Sequence, residues 1–296
     1  MLDVLSAGNI NIDLSFLINK LPDLDGEETA DLEIFHGGSA ANFAVGVSRL
    51  GLKAGILGCV GDDEFGREAI CELKKAGVVT DFVRVSKGKR TGTVCVLVDK
   101  SGGRRMLAYR GANVELESLV EDLPEAKFIQ LCNVSRNVLM KIKKSRGRAR
   151  ISLDPGGSVV ELTPEDLDGV DLLLLNELEC RLLTRSEYRE GTRKLSEYVR
   201  QVVVKLGERG AYAFDGREEK IQRALRVKVV DTTGAGDAFD AGFITAFIKG
   251  MGIEECLRWG IATASLKIQR RGAREGLPTL VELEEFLSCD PWITNI

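Results

Sequence analysis

The stretch Val227-Lys228-Val229-Val230-Asp231-Thr232-Thr233-Gly234-Ala235-Gly236-Asp237-Ala238-Phe239, followed by an apolar segment of helical period through Lys249, decides how the rest of the chain is read. A tight Gly-Ala-Gly turn entering a helix aims free backbone N–H groups and the positive end of the helix dipole at one point. Such a point binds an anion. Gly234 and Gly236 have no side chain to hold a phosphate away from the backbone, and Asp237 carries a carboxylate to the same place. For simple anion binding that charge is misplaced. For phosphoryl transfer it has a use, because an ionised Asp can orient an acceptor hydroxyl toward the phosphate and take its proton. The alternative is an Asp that only caps the helix.

Working outward, short β-rich apolar runs at 3–7, 54–60, 127–131, 149–154, 172–176 and 201–206 alternate with segments of helical period. This alternation predicts a mostly parallel sheet covered by helices on both faces. Residues 39–50 put Ala40, Phe43, Ala44, Val47 and Leu50 on one helical face, and residues 64–76 do the same with Phe65, Ile70 and Leu73. Glycines 51 and 77 follow these helices, as helix ends favour. Two regions break the rhythm, 14–35 and 91–109; the second reads as a hairpin, 93–98 and 105–109, about Asp99-Lys100-Ser101-Gly102-Gly103. The expected fold is α/β: one domain over 1–296, a three-layer sandwich with a mostly parallel central sheet. A small β-sheet lid is inserted into it from about 14–35 and 91–111.

Further segments fall at strand ends, where open parallel sheets hold ligands. Lys205-Leu206-Gly207-Glu208-Arg209-Gly210 offers a cation and two glycines to a nucleotide, and is otherwise an ordinary turn. Lys205, Gly207 and Gly210 are its candidate nucleotide contacts, with Thr233 of the anion turn and Asn176. Asn176 and Glu179 lie three apart at a helix start and can face one spot as oxygen ligands of a hydrated Mg²⁺. Glu179 read alone is a surface helix acid. Asn11 and Asp13 follow the first strand as paired acceptors suited to vicinal hydroxyls. His36-Gly37-Gly38-Ser39-Ala40-Ala41-Asn42 brings Gly37 and Gly38 to a helix start and turns Asn42 inward. A turn and a helix-entry loop are the structural alternatives for these groups.

Bulk properties exclude other classes. The net charge of −4 gives no general attraction to nucleic acid or anionic lipid, and Lys141–Arg150, six basic residues in ten, reads as a solvated helix end. No apolar run reaches a membrane span, and the N-terminus lacks a signal-peptide pattern. The seven scattered cysteines form no C-x-x-C pair, which suits reduced thiols in a cytoplasmic protein. His36 is the single histidine, no G-x-S-x-G accompanies it, and no G-x-G-x-x-G follows the first strand. A Ser-His-Asp hydrolase and a Rossmann dehydrogenase are therefore disfavoured.

Together these segments resemble the ribokinase-like, or PfkB, family of carbohydrate and nucleoside kinases. The match runs through Gly8–Asp13, Gly37–Ala44, Gly58–Gly66, Thr91-Gly92-Thr93, Gly111-Ala112-Asn113, Asn176–Glu179, Lys205–Gly210 and Asp231–Phe239. The resemblance implies transfer of the γ-phosphoryl of ATP to a sugar hydroxyl, with Asp237 as base and an anion hole from the backbone of Gly234, Ala235, Gly236 and Asp237. It further implies Mg²⁺ near Asn176 and Glu179, acceptor contacts from Asn11, Asp13, Gly37, Gly38 and Asn42, and a lid that in many members joins two subunits. Alternative acceptors are a nucleoside, of the archaeal type, or a sugar phosphate such as ribose 1-phosphate, with ATP or ADP as donor. A non-catalytic sensor on the same fold is the reading from another class. Two departures bear on detail. The tail Gly272-Ala273-Arg274-Glu275-Gly276-Leu277-Pro278-Thr279 differs from the ribokinase pattern associated with a monovalent cation, so a potassium requirement is not expected. Tyr109-Arg110 is similar to kinases with anionic acceptors; Arg110 could pair with such an anion or with a lid carboxylate.

Overall fold

The structure is a computed structural model and describes residues 1–100, 103–121, 123–289 and 292. The chain starts in the sheet with β1 (Leu2–Gly8) and leaves it for the lid strands β2 (Asn11–Ile18) and β3 (Asp31–Gly37). It returns through α1 (Ser39–Arg49), β4 (Ala54–Gly61), α2 (Glu64–Lys75) and β5 (Val83–Ser86), then revisits the lid with β6 (Gly92–Asp99) and β7 (Arg104–Tyr109). The remainder alternates: β8 (Ala126–Cys132), α3 (Arg136–Ser145), β9 (Arg150–Asp154), β10 (Leu172–Asn176), α4 (Glu177–Thr184), α5 (Tyr188–Leu195) and β11 (Gln201–Lys205). An antiparallel pair, β12 (Ala211–Phe214) and β13 (Glu219–Gln222), precedes α6 (Ala235–Ile248), α7 (Ile253–Lys267) and α8 (Leu280–Ser288).

The main sheet has the order β13-β12-β11-β10-β9-β8-β1-β4-β5 and the lid the order β3-β2-β6-β7. Seven strands of the main sheet, from β5 across to β11, pair in parallel, which requires both faces to be covered. The sequence provides for that residue by residue. In β10, Leu172 and Leu174 enter the core shared with α1, α6 and α7, while Leu173 and Leu175 enter the opposite core with α3 and α5. All four are fully buried. Truncating any of them to Ala removes packing on one face only, at about 2–5 kcal/mol.

The predicted elements are present, with shifts at their ends that have local causes. β11 stops at Lys205 because the Leu206 N–H turns onto the Gly210 carbonyl at 2.8 Å. Leu50 and Ala76 cap α1 and α2 instead of lying inside them. The lid strands extend further than 14–35: β2 begins at Asn11 and β3 runs to Gly37. The acceptor-side residues are therefore themselves lid-strand residues. The hairpin forms as β6 and β7, paired antiparallel; Ser101 and Gly102 of its turn lie outside the described residues. In the basic run, Lys143 and Arg146 donate to the carbonyls of Asp166 and Gly169, and Arg150 lies over the Phe128 and Phe247 rings. Helix α3 and the turn after it thus use these charges locally.

Registered pairing brings the C-terminal ends of five strands to one edge. Gly8 pairs with Cys132 and Cys132 with Asp154, while Asn176 pairs with Lys205. Nothing in the described residues forms a helix long and apolar enough to cross a membrane.

Candidate active site

At that edge the Asp231–Gly234 segment enters α6. Gly234 is the N-cap residue with φ of 74°, a left-handed conformation that costs glycine nothing, and its missing Cβ leaves room for the Ala273 backbone. No side chain caps the helix. The Ala235 N–H turns back to the Thr232 carbonyl at 3.1 Å, so the first-turn donors left for an anion are the Gly236 and Asp237 N–H groups. Of the four residues predicted to form an anion hole, Ala235 alone has its N–H turned into the segment.

Asp237 is half-buried at this helix start. Its Oδ2 accepts a 2.8 Å hydrogen bond from Asn42 Nδ2, across 195 residues of sequence. Burial raises its pKa to about 6, with Asp154 adding to the shift and Asn42, Lys205 and Arg274 opposing it. A carboxylate of that basicity is ionised at neutral pH and close enough to neutrality to accept a proton. Asp13, on β2, packs its carboxylate against Gly37, where a Cβ would collide with it, and burial raises its pKa to about 6 as well. Gly38 caps α1, leaving no room for a side chain against the Asn9 carbonyl. Asn11 Oδ1 accepts from Asn113 Nδ2 at 2.8 Å, and Asn113 in turn pins Ile10 through both of its backbone groups. The predicted acceptor residues Asn11, Asp13, Gly37, Gly38 and Asn42 thus converge beside Asp237.

The other predicted residues are engaged in ways their spacing did not announce. Lys205 points under the turn, its Nζ 2.7 Å from Asp154 Oδ2 and 3.0 Å from Asp240 Oδ1. Burial opposes its charge, yet the two carboxylates hold its pKa far above the ordinary lysine value. A Cβ on Gly236 would lie 3.5 Å from this ammonium, so Lys205 stands directly behind the anion hole. Asn176 and Glu179 form a reciprocal capping box for α4. Asn176 Nδ2 also donates to Glu179 Oε1 at 2.6 Å. Burial and the nearby Asp154 raise the Glu179 pKa. Gly207 begins a short turn and Gly210 closes it at φ of 102°. The Thr233 hydroxyl donates to Asp231 Oδ1 and accepts from Arg104 Nη2 at 2.7 Å.

Arg104, on β7, is therefore the lid cation that reaches the anion turn, at the edge of a cavity of about 270 Å³ lined also by Phe35, Val98 and Asp231. Arg110 is exposed and borders a second cavity of about 210 Å³ with Asn9, Asn113 and Asn133. Sequence reasoning missed Arg104, Asp154, Asp240, Lys267 and the part played by Arg274. A lone acid three residues after Asp237 in an apolar helix was the available signal for Asp240. Lys267 is fully buried and its Nζ donates to the Asp231 carbonyl at 2.9 Å. His36 sits on β3 opposite Ile12, its pKa lowered by burial, and no catalytic carboxylate is hydrogen-bonded to it.

A helix-borne anion site with a basic carboxylate beside it, under a β-lid, defines a phosphotransferase with an alcohol group as acceptor. Comparison with known proteins gives the family. The pfkB family carbohydrate kinase model matches residues 1–280. The chain is 34% identical to an ATP-dependent ribose-1-phosphate kinase of Halopiger xanaduensis, over 97% of this chain and 99% of that one. Among solved structures, the Methanocaldococcus jannaschii nucleoside kinase superposes with a TM-score of 0.90 at 25% identity, covering 98% and 99% of the two chains. Arabidopsis thaliana ribokinase, in complex with ribose and ATP, gives 0.86 at 28% identity over 97% and 98%. The chain belongs to the PfkB family of carbohydrate kinases, ATP-dependent phosphotransferases, and has the ribokinase fold.

Proposed function

We propose that the protein moves the γ-phosphoryl of MgATP to a hydroxyl of a small sugar, with Asp237 as the base. The observation that carries this reading is the 2.8 Å contact from Asn42 to Asp237 at the uncapped start of α6. One oxygen of the carboxylate is held by the amide, and the other is left for an acceptor hydroxyl a short distance from the Gly236 and Asp237 N–H groups. Asn11 and Asp13 bind the neighbouring hydroxyls, and Lys205 behind the turn supports the negative charge of the transferring group. Gly207, Gly210, Thr233 and Asn176 border the nucleotide.

Mg²⁺ fits this arrangement. No group of three or more His, Cys, Asp or Glu side chains among the described residues forms a metal cage, and none is needed, since Mg²⁺ keeps several waters and binds through one or two carboxylates and the phosphates. Glu179, beside Asp154, would hold it through water. When bound, the ion neutralises phosphate charge. Lys267 already supplies a buried ammonium at the Asp231 carbonyl, against which the Gly272 N–H also closes the tail through Asp231 Oδ2 at 2.9 Å. Potassium is accordingly not required.

A sugar phosphate is a second acceptor class, favoured by Arg110 at the cavity that Asn9 and Asn113 share with the acceptor side and by the ribose-1-phosphate kinase relative. The exposed apolar side chains Leu32, Ile34, Met106, Leu107 and Tyr109 on the lid support a homodimer formed through it. The free cysteines support a cytoplasmic protein. The test of the reaction is a panel of ribose, fructose, ribose 1-phosphate, cytidine, adenosine, inosine and 2-keto-3-deoxygluconate with Mg-ATP or Mg-ADP. Turnover of a free sugar supports the first reading, preference for ribose 1-phosphate the second, and no turnover by folded protein contradicts both.

A further inference from the structure

Arg274 lies in the tail after α7 and is 6% exposed. Its Nε donates to Asn42 Oδ1 at 2.9 Å and its Nη2 to the Gly37 carbonyl at 2.6 Å; Nη1 is buried with no hydrogen-bond partner. The tail thereby touches α1 and the end of lid strand β3 through one side chain, across 232 and 237 residues of sequence. A guanidinium has donors only. An amide facing it must present its oxygen, so Asn42 is obliged to present Nδ2 to Asp237. With a neutral partner that could also accept, the amide would be free to turn over and set its oxygen against the carboxylate.

We propose that Arg274 is the positioning residue of this kinase: it fixes the orientation of Asn42, and through it the rotamer of Asp237, while its cation offsets the two buried carboxylates Asp13 and Asp237. The inference rests on the phosphotransfer reading above and adds to it a residue that need not touch either substrate. It explains why a fully enclosed arginine is kept beside the acceptor. The charged and polar groups around Asp237 are Asn42 from α1, Asp154 at the end of β9, Lys205 at the end of β11, Cys132 at the end of β8 and Arg274 from the tail, while Asp240, one turn on along the same helix, is bonded to Lys205. Burial lowers the Arg274 pKa to about 10, which leaves it charged at neutral pH. Removing its charge raises the pKa of Asp237.

The experiment compares wild type with Arg274→Gln, Arg274→Lys and Arg274→Ala, each with Asn42 intact and with Asn42→Ala. Measured are kcat, kcat/KM for the best acceptor against pH, MgATP affinity, and rate with added guanidinium at a non-denaturing concentration. Arg274→Gln is expected to lower kcat about 10–100-fold, the loss expected when a group that orients a catalytic residue is disturbed. The acid limb of its profile should move to higher pH, with MgATP affinity held within a few-fold. The Lys variant should fall between Gln and wild type, and guanidinium should restore rate to the Ala variant. On the Asn42→Ala background, replacing Arg274 should add little, because the two act as one unit. Unchanged kcat and pH profile, or losses that only follow the folded fraction without rescue, would overturn the proposal. If wild type turns over no acceptor, the phosphotransfer reading is at fault, and carboxylate titration of Asp237 still decides: an unchanged midpoint in Arg274→Gln counts against the inference, an upward one for it.

Discussion

Asp237 and Asp240 lie about one turn apart on one helix, yet they are bonded to different partners, Asn42 and Lys205. On the acceptor side, Asp237 and Asp13 have the Arg274 cation in common, with Lys205 also acting on Asp237 and Arg104 on Asp13, and burial leaves both carboxylates with pKa values of about 6. Behind the turn, Asp240 and Asp154 are bonded directly to Lys205 at 2.7–3.0 Å. Burial and Asp154 raise the Asp240 pKa, while Lys205 holds that of Asp154 down against burial. That buried group is bonded among its own members. One helix thus carries two acids whose pKa values burial raises: Asp237 is held by an amide on one oxygen, and Asp240 is bonded through both oxygens to the Lys205 ammonium.

The largest effect should come from the acceptor side. Asp237→Asn is expected to lower kcat by about 10²–10⁴-fold, the range of a positioned general base, with MgATP affinity nearly unchanged by calorimetry. The same variant should be more stable. The raised pKa means that ionising Asp237 opposes folding; this cost is absent below the unfolded value near 3.8 and complete above about 6. Asn removes it, worth on the order of 1–3 kcal/mol at pH 7.5, which thermal unfolding would report. Lost turnover without stabilisation would separate the base from its buried setting.

Behind the turn the expectation reverses. Lys205→Met leaves Asp154 and Asp240 without their cation and should cost about 3–5 kcal/mol of stability in denaturant unfolding. A variant that keeps its stability but loses nucleotide affinity would move Lys205 to the front of the site. A third outcome concerns wild type alone: kcat/KM should fall below an acid limb near pH 6, about tenfold per pH unit if Asp237 alone must be ionised and up to about a hundredfold if Asp13 must be as well. A limb near 4 would show acceptor-side carboxylates whose burial is fully compensated. Arg104→Ala, which removes a lid contact to the Thr233 hydroxyl, should raise KM by less than about tenfold with kcat maintained, as befits a partly exposed charged bond. Smallest of all, replacing Na⁺ by K⁺ should leave the rate unchanged, since Lys267 occupies the Asp231 carbonyl.

The two sides also differ in how far the sequence revealed them. The sandwich was readable because both-face burial writes itself into single strands: Leu172–Asn176 is a strand with the bounds its apolar run predicts. The glycine turn into α6 and the placement of Asn11, Asp13, Gly37, Gly38 and Asn42 at strand and helix ends were likewise readable, each being a local motif. What was hidden is pairing over distance. Nothing local says that Lys205 pairs with Asp154 and Asp240, or that Arg274 crosses to Asn42. The Asn176–Glu179 pair was hidden for another reason. An Asn followed three residues later by Glu is also the pattern of a capping box, and the backbone N–H groups of a new helix compete with any metal for the same oxygens.

The most direct test of the contrast is carboxylate titration by ¹³C NMR of Asp-labelled protein, with Asp237→Asn and Asp240→Asn used for assignment. The structure predicts an Asp237 resonance with a midpoint near pH 6, shifted upward when Arg274 is replaced. An Asp237 carboxyl titrating at the ordinary value near 4, unaffected by Arg274, would contradict the account.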